Sequence, residues 1–391
     1  MMKSTKTSMV YRSGHFVPEA FSFAPAVSVS SDIEYFVFPG FADVHVHLRE
    51  PGFSYKETVK TGTLAGAAGG YTALCPMPNL KPVPDSLEHL EEQLACIRRD
   101  ACVKTVPMGA ITVGEDGKTL SDLEALAPFV SAFSDDGRGV ADAALMREAM
   151  VRAKALGKII AAHCEDLTYA PADPRSEWSE VERDILLAKE TGCALHVCHV
   201  SSAVSLELIR QAKRDGIDVT CETGPHYRLL DESMREDHGR WKMNPPLRSP
   251  ADREALVAAL LDGTVDMIAT DHAPHSAEEK AKGFAGSLNG IVGLECAFPT
   301  LYTGLVKTGI LTLEKLVALM ADNPRKRFAL GGLDITENEY TVWDLSAVSR
   351  VDPEAFATMG RSTPFEGMEV YGRCIATVYN GECVYAADKI G

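Results

Sequence analysis

The chain of 391 residues carries 39 Lys and Arg against 55 Asp and Glu, a formal net charge of −16, with 46% hydrophobic residues. Such a surface repels polyanions, which excludes a general nucleic-acid or anionic-membrane binder, and any acidic small molecule has to be met by a local cation. No segment approaches the roughly 18 consecutive apolar residues of a membrane span.

Along the chain, short β-branched or apolar runs alternate with longer amphipathic stretches, the pattern of repeated β-then-α units around a parallel sheet. The runs at 42–48, 71–75, 103–109, 130–134, 158–163, 194–199, 217–221 and 265–270 predict eight strands. Helical periodicity fills most of the gaps, at 85–99, 141–156, 176–190, 202–214 and 251–262. Eight such units over about 230 residues predict an α/β fold, a closed (β/α)8 TIM-like barrel rather than an open sheet. Residues 1–38 and 338–391 read as short extended runs, with Asn380-Gly381 as a hairpin signal. We expect the two ends to meet in one small composite β domain beside a catalytic barrel of residues 39–337.

Chemistry concentrates at the predicted strand ends. In Asp43-Val44-His45-Val46-His47 the two histidines stand two residues apart on a strand, so both imidazoles face one side and can share a metal ion. Taken alone, such a pair is as readily two histidines on a solvated face. Further metal-type residues follow later strands: Asp135-Asp136 the fourth, His163 the fifth, His199 the sixth and Asp271 the eighth. Strand C-termini form the catalytic face of a barrel, so these side chains converge there, in a donor set that suits zinc or a similar divalent ion. His196 competes with His199, which ranks higher because it lies nearer the strand end. His163 also reads as a core histidine, and Asp271 as a helix cap.

The stretch Pro39-Gly40-Phe41-Ala42-Asp43-Val44-His45-Val46-His47-Leu48-Arg49-Glu50-Pro51-Gly52, followed by Tyr55-Lys56-Glu57, resembles the opening motif of dihydroorotases in the amidohydrolase superfamily. Met77-Pro78-Asn79, Phe133-Ser134-Asp135-Asp136-Gly137, His163-Cys164-Glu165-Asp166, Cys198-His199-Val200-Ser201-Ser202, Asn244-Pro245-Pro246-Leu247-Arg248 and Asp271-His272-Ala273-Pro274-His275 resemble the later motifs, in family order. The resemblance implies a cyclic amidohydrolase that interconverts N-carbamoyl-L-aspartate and L-dihydroorotate in pyrimidine biosynthesis. It implies one or two zinc ions, with His45 and His47 on one, His163 and His199 on the second, Asp136, the aspartate beside the glycine, as bridge, and Asp271 completing the first and handling protons. The fourth-strand region has no lysine, so the chain resembles the bacterial subgroup whose bridge is an aspartate rather than a carboxylated lysine.

The substrate carboxylate needs a fixed cation, and Arg49, two residues after His47 on the same strand face, supplies a planar fork for it. Its competing reading is a surface ion pair with Glu50. Asn79, Asn244 and His275 resemble the family's remaining substrate contacts, although asparagines beside proline are also turn formers. Gly224-Pro225-His226-Tyr227 departs from the more usual Thr-Pro-His-His and alters a pocket wall.

Nucleotide binding has no support, since no spaced glycine fingerprint or phosphate loop occurs, and no Gly-x-Ser-x-Gly elbow marks a serine hydrolase. The rival readings are an allantoinase or a hydantoinase of the dihydropyrimidinase type, and a weakly active scaffold for aspartate transcarbamoylase. Arg49 argues against uncharged rings, and the full ligand set against the scaffold. Ten cysteines without a Cys-x-x-Cys pair read as thiols, and Met1 to Thr7 lead into no apolar stretch, so the expected location is the cytoplasm. Expected partners are the small-molecule substrate, a second copy of the chain as a homodimer, and aspartate transcarbamoylase as a possible associate. The glycine-rich, charged loop 277–290 is a candidate mobile segment.

Overall fold

The computed structural model describes residues 4–387. Strands β1 (Ser4–Arg12), β2 (His15–Phe23) and β3 (Phe36–Phe38) precede the barrel strands β4 (Phe41–Val46), β5 (Tyr71–Pro76), β6 (Lys104–Thr105), β7 (Gly109–Ala110), β8 (Phe133–Ser134), β9 (Ile160–Ala162), β10 (Leu195–Val197), β11 (Val219–Thr223) and β12 (Met267–Ile268). β13 (Tyr340–Arg350), β14 (Glu369–Tyr379) and β15 (Glu382–Ala386) close the chain.

All eight predicted strands are present, and each run of parallel pairing is joined to the next. β6 and β7 are two halves of the third predicted strand: β6 pairs with β5, β7 with β8, and Pro107, which has no N–H to donate, lies between them. The ring closes where Val46 bridges His272 and the His47 N–H donates to the His272 carbonyl at 2.8 Å. Helices between strands start on side-chain caps, as at Thr58 before Val59–Ala68 and Ser249 before Pro250–Asp262, both with reciprocal capping boxes.

The barrel interior is filled by small and medium side chains: Ala42, Val44, Ala73, Cys75, Met77, Ala132, Ala161, Met267 and Ala269 pack together, with Phe328 and Leu330 in the same cluster. Phe41, Val46 and Leu48 instead belong to the larger layer between barrel and helices. Val44 and Val46, two residues apart, therefore face opposite layers. The cause is a β-bulge: Asp43 pairs with Leu74 but Val46 with Pro76, so between these pairs β4 has one residue more than β5, offsetting the opposite shift between Phe41 and Ala42. An extra residue flips the side-chain phase, and it turns His45 and His47 into the mouth of a barrel whose lower floor is Ala42 and Val44.

The chain termini share one six-stranded sheet, in the order β15-β14-β13-β3-β1-β2. It is antiparallel except for the parallel pair β1–β3. Phe38, Phe41, Phe298 and Trp343 stack where this sheet meets the barrel, with Phe298 and Trp343 centroids 4.3 Å apart. Beside them the buried Arg325 guanidinium donates to the Gly40 carbonyl, to Gly331 and to Glu339. Among the described residues no helix is long and apolar enough to cross a membrane.

Candidate active site

At the C-terminal mouth of the barrel, His45, His47, Asp136, His163, His199 and Asp271 come together around one point. Three site residues, Arg49 (φ 60°), His199 (φ 34°) and Asp271 (φ 49°), hold left-handed backbone that residues with a Cβ rarely adopt. All three lie just past barrel strands, so the strain sits where the chain turns out of the sheet and aims a side chain at the centre.

Asp136 is the hub. Its Oδ1 lies 3.3 Å from His45 Nε2, 3.4 Å from His163 Nδ1 and 3.5 Å from His199 Nε2, and its Oδ2 lies 3.5 Å from His47 Nε2. Asp271 Oδ1 lies 3.1 Å from His47 Nε2 and 3.5 Å from His45 Nε2. Ligands about 2.0–2.1 Å from a tetrahedral zinc stand roughly 3.3 Å apart, which is the spacing seen here. The donors form two groups, His45 with His47 and Asp136, and Asp136 with His163 and His199. Both His45 Nε2 and Asp136 Oδ1 are buried and lack a hydrogen-bond partner. Buried polar atoms are rarely left so, and here they face each other across the space a cation would fill. The donor set therefore fits a divalent ion.

The neighbouring aspartate does other work. Asp135 accepts the Ile111 N–H at 2.8 Å, the Thr112 N–H at 3.0 Å and the Thr112 hydroxyl. Burial raises its carboxyl to about 7. Asp136, by contrast, is held well below the carboxylate range: burial opposes this, but His45, His163 and His199 outweigh it. His196 likewise turns away from the centre, bonding Glu222 and Thr220.

Behind these groups lies a layer that sequence reasoning missed. Glu222, buried on β11, receives His45 Nδ1 at 2.7 Å and His196 Nε2 at 3.1 Å. Asp43 accepts the His45 and Thr270 N–H groups, both at 3.0 Å. Glu165 Oε2 lies 3.1 Å from His163 Nε2 and accepts Asn244 Nδ2 at 2.8 Å. The available signal was a glutamate inside the apolar strand Val-Thr-Cys-Glu-Thr, which a purely structural strand has no use for.

A cavity of about 200 Å³ opens over the centre, lined by Arg49, Asn79, Asn244, Asn289, Gly290 and His275 besides the metal-type residues. Arg49 is 9% exposed, donates from Nε to the Pro274 carbonyl at 3.3 Å, and has no ion-pair partner among the described residues. Glu50 instead pairs with Arg99 and accepts the Val59 N–H. Asn79 Oδ1 meets His47 Nδ1 at 2.9 Å, so this asparagine also orients an imidazole. His275 Nε2 meets the Asn289 carbonyl at 2.6 Å, and Nδ1 lies 3.2 Å from Lys56 Nζ. Burial, with Arg49 and Lys56 nearby, lowers it to about 3, so it is neutral at pH 7. At Gly224 a Cβ would come within 2.4 Å of His226 Cε1. The departure from threonine thus leaves room that the His226 ring takes.

A family model described as Dihydro-orotase-like matches residues 35–173. The chain is 47% identical over 371 residues to the dihydroorotase of Fusobacterium nucleatum subsp. nucleatum, covering 90% of this chain and 87% of that one. It is 46% identical over 394 residues to the dihydroorotase of Staphylococcus aureus (strain MRSA252), covering 94% and 93%. Among solved structures, the L-hydantoinase (dihydropyrimidinase) from Arthrobacter aurescens superposes with a TM-score of 0.86 at 25% identity, over 97% of this chain and 95% of that one. The dihydropyrimidinase from Brevibacillus agri NCHU1002 gives 0.84 at 21% identity, over 98% and 95%, a likeness of fold alone.

Proposed function

The chain belongs to the dihydroorotase family, and on that footing we propose how its barrel mouth performs the reversible hydrolysis of L-dihydroorotate to N-carbamoyl-L-aspartate. The observation that carries the reading is a buried guanidinium without a carboxylate partner, Arg49, in the same small cavity as the Asp136 donor cluster. An uncharged ring has no need of that cation.

His45, His47 and Asp271 would hold one zinc and His163 and His199 a second, with Asp136 available to either. When bound, the metal supplies a Lewis acid for the ring carbonyl and lowers the pKa of water to about 7. Arg49 takes the substrate carboxylate in two parallel hydrogen bonds, which fixes the ring and its scissile C–N bond over the centre. Asn79, Asn244 and His275 line the remaining sides and contact the ring. Asp271 removes the proton from the attacking water and delivers it to the departing ring nitrogen. In the biosynthetic direction the same carboxylate takes the proton from the ureido nitrogen as the C–N bond forms and gives it to the oxygen leaving the substrate carboxyl, which departs as water.

Zinc is the ion that this imidazole and carboxylate set favours. Buried thiols such as Cys75, Cys164 and Cys198 suit the reducing cytoplasm. Division into a barrel of 39–337 and a composite domain of 1–38 with 338–391, a homodimer, and association with aspartate transcarbamoylase belong to the same reading. Sizing of the purified chain, alone and with that enzyme, tests the assemblies.

The test of function is turnover of dihydroorotate, allantoin and a hydantoin by the zinc-reconstituted protein. Preference for dihydroorotate supports the reading. Turnover of the uncharged rings alone would move the chain to the hydantoinases, and turnover of none would leave the scaffold.

A further inference from the structure

Lys280 is 5% exposed, in the loop that follows His275. An ammonium has three donors and no acceptor, and all three are used on backbone carbonyls: Lys242 at 3.1 Å, Leu288 at 2.8 Å and Gly290 at 2.7 Å. No carboxylate among the described residues pairs with it. Burying an ammonium away from any anion is costly, so where its donors go is informative.

The three carbonyls belong to two walls of the active-site cavity. Leu288 and Gly290 flank Asn289, and Asn289 and Gly290 line the cavity. Lys242 lies two residues before Asn244, which lines it from another side. The walls are also tied directly, since the Gly290 N–H donates to the Lys242 carbonyl at 2.9 Å. The surroundings of the lysine are close-packed as well: a Cβ at Gly239 would lie 2.1 Å from the Lys280 carbonyl, and one at Gly290, whose φ is +135°, would lie 2.5 Å from the Ala273 carbonyl and 2.9 Å from His275 Cδ2. The Asn289 carbonyl in turn holds His275 Nε2 at 2.6 Å.

We propose that Lys280 is a positioning residue for substrate binding: its ammonium draws the 288–290 and 242–244 walls together and, through the Asn289 carbonyl, sets the His275 ring against the cavity. Lys280 does not itself line the cavity, and it acts on substrate only through these walls. The loop 277–290, with helical turns at Ala277–Lys280 and Gly283–Gly286, is thereby a fixed part of the binding pocket. This assignment rests on the dihydroorotase reading for its substrate but not for its geometry.

The test is Lys280→Met in the zinc-loaded full chain, with Lys280→Gln, which keeps a donor, as the second variant. The expected result is a KM for dihydroorotate raised about tenfold, with kcat changed by no more than about threefold and zinc content unchanged, because ground-state contacts are lost while the reacting groups stay in place. Hydrogen exchange at the Gly290 amide is expected to quicken in both variants, less in Lys280→Gln. A folded variant that keeps the native KM, or one whose Gly290 amide exchanges as in the native protein, overturns the assignment. Failure of both variants to fold also overturns it, since the lysine would then serve the fold as a whole. If the native protein turns over no dihydroorotate, the functional reading falls, and the exchange measurement, which needs no substrate, still decides the role of Lys280.

Discussion

Asp136 Oδ1 and His45 Nε2 face each other at 3.3 Å, both buried and both without a hydrogen-bond partner. A shared cation resolves that arrangement, so stripping the protein with a chelator is expected to abolish turnover and zinc to restore it. Zinc at 100 times its Kd is expected to stabilise the fold by about 2.7 kcal/mol. Asp136→Ala is expected to lose both the rise in melting temperature and the activity. Elemental analysis beside the melt distinguishes one ion from two, and unchanged melting of the native protein with zinc would count against the site.

Glu222 fixes which nitrogen of His45 faces the centre, because the 2.7 Å contact occupies Nδ1. Partners of this kind are typically worth about 10–100-fold in metal affinity. Glu222→Gln is therefore expected to weaken zinc by about that factor in competition with a coloured chelator. An unchanged affinity would mean that the barrel walls alone orient the ring.

Arg49→Ala is expected to lower kcat/KM for dihydroorotate by roughly 10–150-fold, the equivalent of about 1.5–3 kcal/mol for hydrogen bonds to a charged group. Arg49→Lys should recover only part, since a point charge cannot reproduce the fork. Equal losses on a hydantoin would show that the guanidinium serves the fold rather than the carboxylate.

His226 is 1% exposed and its Nε2 has no partner. Burial, only partly offset by Asp271, lowers it to about 4. An unfolded chain takes up this proton near pH 6.5 and the folded one only near 4. The unfolded state thus binds more protons across that window, so stability rises with pH there and is lost as pH falls, by up to about 1.4 kcal/mol per unit. In urea unfolding of chelator-treated protein, His226→Phe is expected to show a shallower acid loss between pH 6.5 and 4 than the native chain. Parallel curves would assign the acid loss to other groups.

Much of the barrel was legible because each strand declares itself in β-branched runs between helical periods, and because the metal-type residues fall at strand ends. Boundaries were less so: β8 and β12 keep only two residues each, since strand ends are set by ladder pairing with neighbours and not by residue type. The phase of β4 was hidden, since strict alternation from Val44 would have sent His45 outward, and only pairing with β5 reveals the bulge. Asp135 and Asp136 could not be separated by residue type. Their difference lies in the Ile111 and Thr112 amides, which come from the segment just after β7. Lys280 gave no signal, because its partners are backbone carbonyls and any sequence supplies those.

The sheet shared by both termini has a kinetic side. β3 lies between β1 and β13, and Val37 pairs with Val342, so the ladder cannot be completed until nearly the whole chain is available. Closing so long a loop costs entropy before the contacts repay it, which slows folding of such topologies. Because β3 runs through Pro39 and Gly40 straight into β4, the strand left waiting is the one that precedes the first two histidines. A chain arrested before β13 would therefore present an open β3 edge beside the barrel, a ready template for mispairing with another chain.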